Sequence, residues 1–150
     1  MSKMKILIVD DQQLILLPLK KWLSDLGYEV RAAENVFDAI AAYDAFAPDL
    51  VITDINMPML PTTNLMASPT DINDKAAGLE IVKYIRSIKQ SPSPIMVLSG
   101  NTEENIIKRG FELGINEYMK KPLMLKEMGL RVKRLLNDSF LFTAPNALAL

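Results

Sequence analysis

The chain has 150 residues, 49% apolar and 23% charged, the balance of one soluble domain built on a single core. Its 17 Lys and Arg nearly cancel 18 Asp and Glu, so counterion-driven binding of nucleic acid over the whole surface is not expected. With no Cys and no His, disulfides, thiolate or imidazole metal sites, Ser-His-Asp machinery and a phosphohistidine of its own are excluded. Along the chain, Lys5 to Val9 reads as an apolar strand that ends at a carboxylate pair, Asp10-Asp11. Leu16, Leu19, Leu23 and Leu26 follow at helical spacing, stopped by Gly27, with Pro18 inside expected to cost a backbone hydrogen bond and bend the helix. Tyr28 to Ala32 is a second strand, and Val36, Ile40 and Tyr43 mark a second helix closed by Ala47-Pro48. Leu50 to Asp54 is the third strand, again ending in a carboxylate. Ile81, Ile85 and Ile88 mark the third helix, Ile95 to Leu98 the fourth strand, and Ile107 with Phe111 the fourth helix. Glu117 to Met119 is a short fifth strand, and Leu125, Met128, Val132 and Leu135 form the last helix.

Strands alternating with helices imply right-handed parallel crossovers and a sheet covered on both faces. Runs such as Ile6-Leu7-Ile8-Val9 are apolar throughout, as burial of both faces demands. The expected fold is one doubly wound α/β domain over 1–138, with an inserted loop at about 59–77 and a C-terminal tail, 139–150. The apolar run after Lys3 and Lys5 stops at Asp10, too short for a signal-peptide core, and no run is long enough to span a bilayer. No membrane insertion and a cytoplasmic location are therefore expected.

In such sheets, ligand sites form where strands end at their carboxyl termini. That edge collects Asp10 and Asp11 from strand one, Asp54 from strand three, Ser99 from strand four and Lys121 just past strand five. Three converging carboxylates repel one another unless cations compensate. Lys121 supplies one positive charge, and an oxygen-only ligand set suits Mg²⁺ for the rest. An Asp beside such an ion, a Lys and a hydroxyl is a plausible acceptor of a phosphoryl group. Taken singly, each of these residues reads better as a helix cap or a loop residue; their ordered convergence is what carries the site.

These residues resemble the receiver domain of response regulators, of the single-domain chemotaxis kind. The resemblance rests on Ile6-Leu7-Ile8-Val9-Asp10-Asp11, Leu50-Val51-Ile52-Thr53-Asp54-Ile55-Asn56-Met57-Pro58 and Gly78-Leu79-Glu80. Pro94 to Gly100 and Gly114 to Pro122 complete it. It implies a flavodoxin-like sheet of order 2-1-3-4-5 with helices on both faces. It also implies that Asp54 is the phosphoacceptor, that Asp11 binds Mg²⁺ directly and Asp10 mainly through water, and that Asn56 offers its backbone carbonyl. Ser99 and Tyr118 would be switch residues, Lys121 would pair with a phosphoryl oxygen, and the Lys121-Pro122 bond would be cis. Lys120 competes with Lys121, but the family places the working lysine directly before Pro122.

The implied function is a phosphoacceptor switch of a two-component system or phosphorelay. A sensor histidine kinase or histidine phosphotransfer protein would be the donor. With no effector domain after Asn137, output would pass to a partner protein through the face of helix four, strand five and helix five. The chain would assist only its own phosphorylation and dephosphorylation, without acting as an enzyme on other substrates. Lys126, Arg131, Lys133 and Arg134 give the last helix a basic side, suited to an acidic partner or simply to solvent. Two alternatives stand beside this reading. One is a pseudo-receiver that binds partners without phosphorylation. The other is an aspartyl-phosphate phosphatase, disfavoured because Asn56 stands where that chemistry needs an acid. Asp71 to Lys75 faintly resembles a calcium loop, but Lys75, Ala76 and Val82 spoil the pattern and it reads as a solvated turn. The family passes from Met57-Pro58 to Gly78-Leu79-Glu80 within a few residues, so the long insert is a departure, and it emerges beside the acceptor.

Overall fold

A computed structural model describes residues 3–61, 76–100 and 103–143, with side chains as far as Asn137. Five parallel strands lie in the order β2-β1-β3-β4-β5: β1 is Lys5–Val9, β2 Glu29–Ala33, β3 Leu50–Thr53, β4 Ile95–Ser99 and β5 Glu117–Lys120. The helices are α1 (Gln13–Asp25), α2 (Val36–Phe46), α3 (Leu79–Lys83), α4 (Glu104–Leu113) and α5 (Leu125–Thr143). A π-helical turn, Tyr84–Ile88, continues α3.

Alternation along the strands divides the core in two. Leu7, Val9, Val51, Ile95 and Val97 pack with residues of α2 and α3. Ile6, Ile8, Leu50, Ile52, Met96 and Leu98 pack with α1 and α5. Each such side chain, removed from water, contributes roughly 1.5–3 kcal/mol, which is why Ile6–Val9, Leu50–Ile52 and Ile95–Leu98 in the middle of the sheet contain no polar residue.

Several elements differ from the sequence expectation. The second strand starts one residue later than Tyr28 and runs to Ala33. α1 runs unbroken through Pro18, which lies on its exposed side, where water can reach the Leu14 carbonyl deprived of its partner. Leu26 caps α1 from outside the core and is 52% exposed. Ile88 is 70% exposed rather than core-facing, because the π turn, with its Lys89 N–H donating to the Tyr84 carbonyl, shifts the helical phase after Ile85. In α4 the residue against the core is Gly110, flanked by Ile106 and Leu113, while Phe111 is 48% exposed. A Cβ at Gly110 would meet Ile115 Cδ1 at 3.0 Å, so the helix packs closely here and any side chain would need Ile115 to give way. α5 continues to Thr143, so helical backbone runs into the segment expected as a tail; 144–150 and most of the insert, 62–75, lie outside the described residues, as does the Asp71 to Lys75 pattern.

The loop after β3 is tied to α2. Asn35 caps α2 by accepting the Asp38 N–H at 2.7 Å. The two preceding amides, Val36 and Phe37, donate to the carbonyls of Pro58 and Met59 at 3.0 and 2.8 Å. All three amides at the start of the helix are thereby satisfied, and the first residues of the insert are pinned beside the strand ends.

Candidate functional site

Strand register brings the predicted residues together. Val9 pairs with Thr53 and Thr53 with Val97, so Asp10 and Asp54 leave their strands at the same level. The Asp10 N–H donates to the Ala33 carbonyl at 3.1 Å and the Asp54 N–H to the Val9 carbonyl at 2.8 Å, carrying the ladder one step beyond the strands. Ser99 pairs with Lys120, and the Lys121 N–H donates to the Ser99 carbonyl at 2.9 Å. The Lys121-Pro122 peptide is cis, as expected.

Lys121, not Lys120, enters the site. Its Nζ lies 2.8 Å from Asp10 Oδ2 and 3.1 Å from Asp54 Oδ2, whereas Lys120 is exposed. The other oxygens of the two carboxylates are held by backbone. Asp10 Oδ1 accepts from Gln12 N at 2.9 Å, and Asp54 Oδ1 accepts from Ile55 N at 2.7 Å and Asn56 N at 3.3 Å. Asp10 and Asp54 are buried, Asp11 is exposed, and one carboxylate oxygen from each falls within 4.8 Å of the others. Asp10 Oδ2 is buried with no aligned hydrogen bond, so its contact with Lys121 is an ion pair only.

One ammonium does not neutralise three carboxylates. Burial, and then the charge of Asp10, hold Asp54 above the usual carboxylate range despite Lys121. Burial and the charge of Asp10 likewise raise Asp11. At Lys121, burial favours the neutral amine, but close pairing with Asp10 and the charges of Asp54 and Asp10 outweigh it and raise its pKa. These observations fit a hard divalent cation: three carboxylate oxygens, a shortage of positive charge, and a buried oxygen without a directed donor.

The remaining predicted residues lie around this cluster. Ser99 is completely buried at the end of β4. Tyr118 is half-buried on β5, and its phenol is pushed up by burial and then by the charge of Asp54. Asn56 is exposed in the turn after Asp54. The basic side of α5 is only partly available: Arg131 and Arg134 turn to Glu117 of β5, leaving Lys126 and Lys133 outward.

Two contacts near the strand ends escaped the sequence reading. Gly78, where the chain returns from the insert, lies so close that a Cβ there would stand 1.9 Å from the Asp54 carbonyl oxygen. Gln13 at the start of α1 donates to Glu34 in the loop after β2; nothing in its type or spacing announced this. A groove of about 490 Å³ between α3 and α4, lined by Met59, Leu79, Ile106 and Arg109 among others, contains none of the clustered carboxylates.

A family model described as the response regulator receiver domain matches residues 6–133. The chain belongs to that family. It is 33% identical over 135 residues to the alkaline phosphatase synthesis transcriptional regulatory protein PhoP of Bacillus subtilis, covering 90% of this chain and 49% of PhoP. The transcriptional regulatory protein ResD of the same organism is 35% identical, with the same shares covered. The chain thus spans about half the length of the curated relatives it matches. Among solved structures, the chemotaxis response regulator CheY4 of Vibrio cholerae superposes with a TM-score of 0.73 at 27% identity, covering 89% of this chain and 99% of CheY4. The fold is that of CheY-like receivers, and the family is one of signalling domains of two-component systems rather than classical enzymes. Among the described residues, no helix is long and apolar enough to cross a membrane.

Proposed function

We propose that this chain is a phosphorylation-controlled switch that accepts a phosphoryl group on Asp54. The reading is carried by one observation: Lys121 bridges Asp10 and Asp54 at 2.8 and 3.1 Å, with Asp11 completing a set of carboxylates that it cannot neutralise alone. Asp10, Asp11, Asp54 and the Asn56 backbone carbonyl would hold Mg²⁺. The ion supplies positive charge to the phosphoryl oxygens when bound.

An Asp54 carboxylate oxygen attacks the phosphorus of the donor. A P–O bond forms, giving an acyl phosphate, as the P–N bond of a phosphohistidine breaks and the imidazole takes up a proton. Lys121, already beside Asp54, pairs with a phosphoryl oxygen, and the buried Ser99 hydroxyl lies on the adjacent strand end to donate a hydrogen bond to another. The donor is a sensor histidine kinase or phosphotransfer protein, because this chain has no histidine. The acyl phosphate draws Ser99 and Tyr118 toward it, and the changed face of α4, β5 and α5 engages a partner protein in the cytoplasm.

Incubation with acetyl phosphate and Mg²⁺, followed by intact-mass measurement, tests this. Wild type is expected to gain one phosphoryl group, releasing acetate, and Asp54→Asn is expected to gain none. No gain by wild type would make the chain a binding module without phosphorylation. Rapid turnover of many organic phosphates would make it a phosphatase. Either result overturns the proposal.

A further inference from the structure

Strand β3 is apolar except at its last residue. Thr53 is 1% exposed, and its Oγ1 donates to the carbonyl oxygen of Asp54 at 2.9 Å. A buried hydroxyl costs desolvation that its hydrogen bond offsets, and valine would fill the same space in a strand but leave the Asp54 carbonyl without this donor. Filling the core alone therefore does not call for a threonine; the Asp54 carbonyl does.

What the bond does is fix a peptide plane. The Asp54 carbonyl and the Ile55 N–H are opposite edges of one rigid unit. The Ile55 N–H donates to Asp54 Oδ1 at 2.7 Å, so the plane that Thr53 holds also decides where Oδ1 is held. Oδ2 is then the oxygen left facing Lys121, at 3.1 Å. Gly78 also lies against the same peptide, where any Cβ would stand 1.9 Å from the Asp54 carbonyl oxygen and 2.9 Å from Ile55 Cα, so the plane is crowded.

We infer that Thr53 is a positioning residue for phosphoryl acceptance: its hydroxyl locks the Asp54–Ile55 peptide and so fixes which carboxylate oxygen faces Lys121. This rests on the reading of Asp54 as acceptor. The test uses Thr53→Val, which removes the hydroxyl at constant shape, and Thr53→Ser, which restores it. Labelling by acetyl phosphate with Mg²⁺ is followed over a range of donor concentrations, beside the amide resonance of Ile55 and the melting temperature.

Thr53→Val is expected to lower the maximal rate about tenfold, the worth of one hydrogen bond of about 1.4 kcal/mol. Its half-saturating donor concentration should stay unchanged, its Ile55 amide should shift, and its melting temperature should fall only by the few degrees that one stranded carbonyl costs. Thr53→Ser should recover the rate to within about twofold. A Val variant as fast as wild type, or a Ser variant as slow as Val, overturns this inference while leaving Asp54 as acceptor. A wild type that takes up no phosphoryl group overturns the acceptor reading and this role with it.

Discussion

At one end of the sheet three carboxylates share one ammonium; at the other, one guanidinium is shared among four neutral oxygens. Arg86, in the π turn after α3, donates from Nε and both terminal nitrogens to the carbonyls of Ser91, Ser93 and Gly114 and to Asn116 Oδ1, at 2.7–3.1 Å. Asn116 Oδ1 also accepts from the Ile95 N–H at 2.8 Å, so this fork binds the starts of β4 and β5 to the end of α4. Every donor of the guanidinium is used. The acidic end is the reverse, with Asp54 and Asp11 raised and Asp10 Oδ2 buried without a directed donor. One end spends its polar groups on holding the fold together. The other keeps electrostatic tension that an arriving cation and phosphoryl group relieve.

The contrast has measurable consequences. Arg86→Ala should be the most damaging change, costing about 3 kcal/mol by urea unfolding because it strands several partly buried acceptors. Arg86→Lys should recover little, since an ammonium cannot reproduce the fork. A loss below about 0.5 kcal/mol would make the clamp ornamental. Gly78→Ala comes next: forcing a Cβ onto the Asp54 carbonyl should cost about 2 kcal/mol by the same assay and reduce labelling by acetyl phosphate more than the stability loss explains. Unchanged labelling would separate this contact from the site.

Asp54→Asn should be the smallest change, and of opposite sign. A carboxyl raised on folding binds its proton more tightly in the native state, so its contribution to stability falls as pH rises from the usual carboxylate value through the raised one. Above that window wild type carries the full burden, and Asp54→Asn should melt a few degrees higher near neutral pH, with the gap closing as pH falls through the window. A variant that melts lower at neutral pH would mean the Lys121 pairing outweighs burial. Lys121 works in the other sense: its stabilisation holds below the ordinary lysine value and is lost as pH rises through its raised one.

Much of the fold was legible because strands buried on both faces leave continuous apolar runs, and because short loops place the first residue after each strand at the site edge. That placement alone put Asp10, Asp11, Asp54, Ser99 and Lys121 at one edge, where the structure gathers the three carboxylates around Lys121. The π turn was not legible, since a single-residue change of helical phase leaves no periodic trace and Ile88 keeps apparent helical spacing. Gly110 misled for a related reason: a glycine at the packing surface has no side chain to mark it, so the eye goes to Ile107 and Phe111. Arg86 and Gly78 act across long sequence separations, on backbone carbonyls whose positions no local pattern encodes. Thr53 did carry a signal, a lone hydroxyl in Leu50-Val51-Ile52-Thr53, but its meaning required the Asp54 carbonyl to be located.

The shortage of positive charge at the acidic end is tested most directly by melting the protein across a Mg²⁺ titration at neutral pH, beside Asp11→Asn. Wild type should gain melting temperature progressively as the ion loads the native state, and the variant should gain much less. Equal curves for the two proteins, or no response from wild type, would show that Lys121 alone satisfies the cluster and that no cation belongs there.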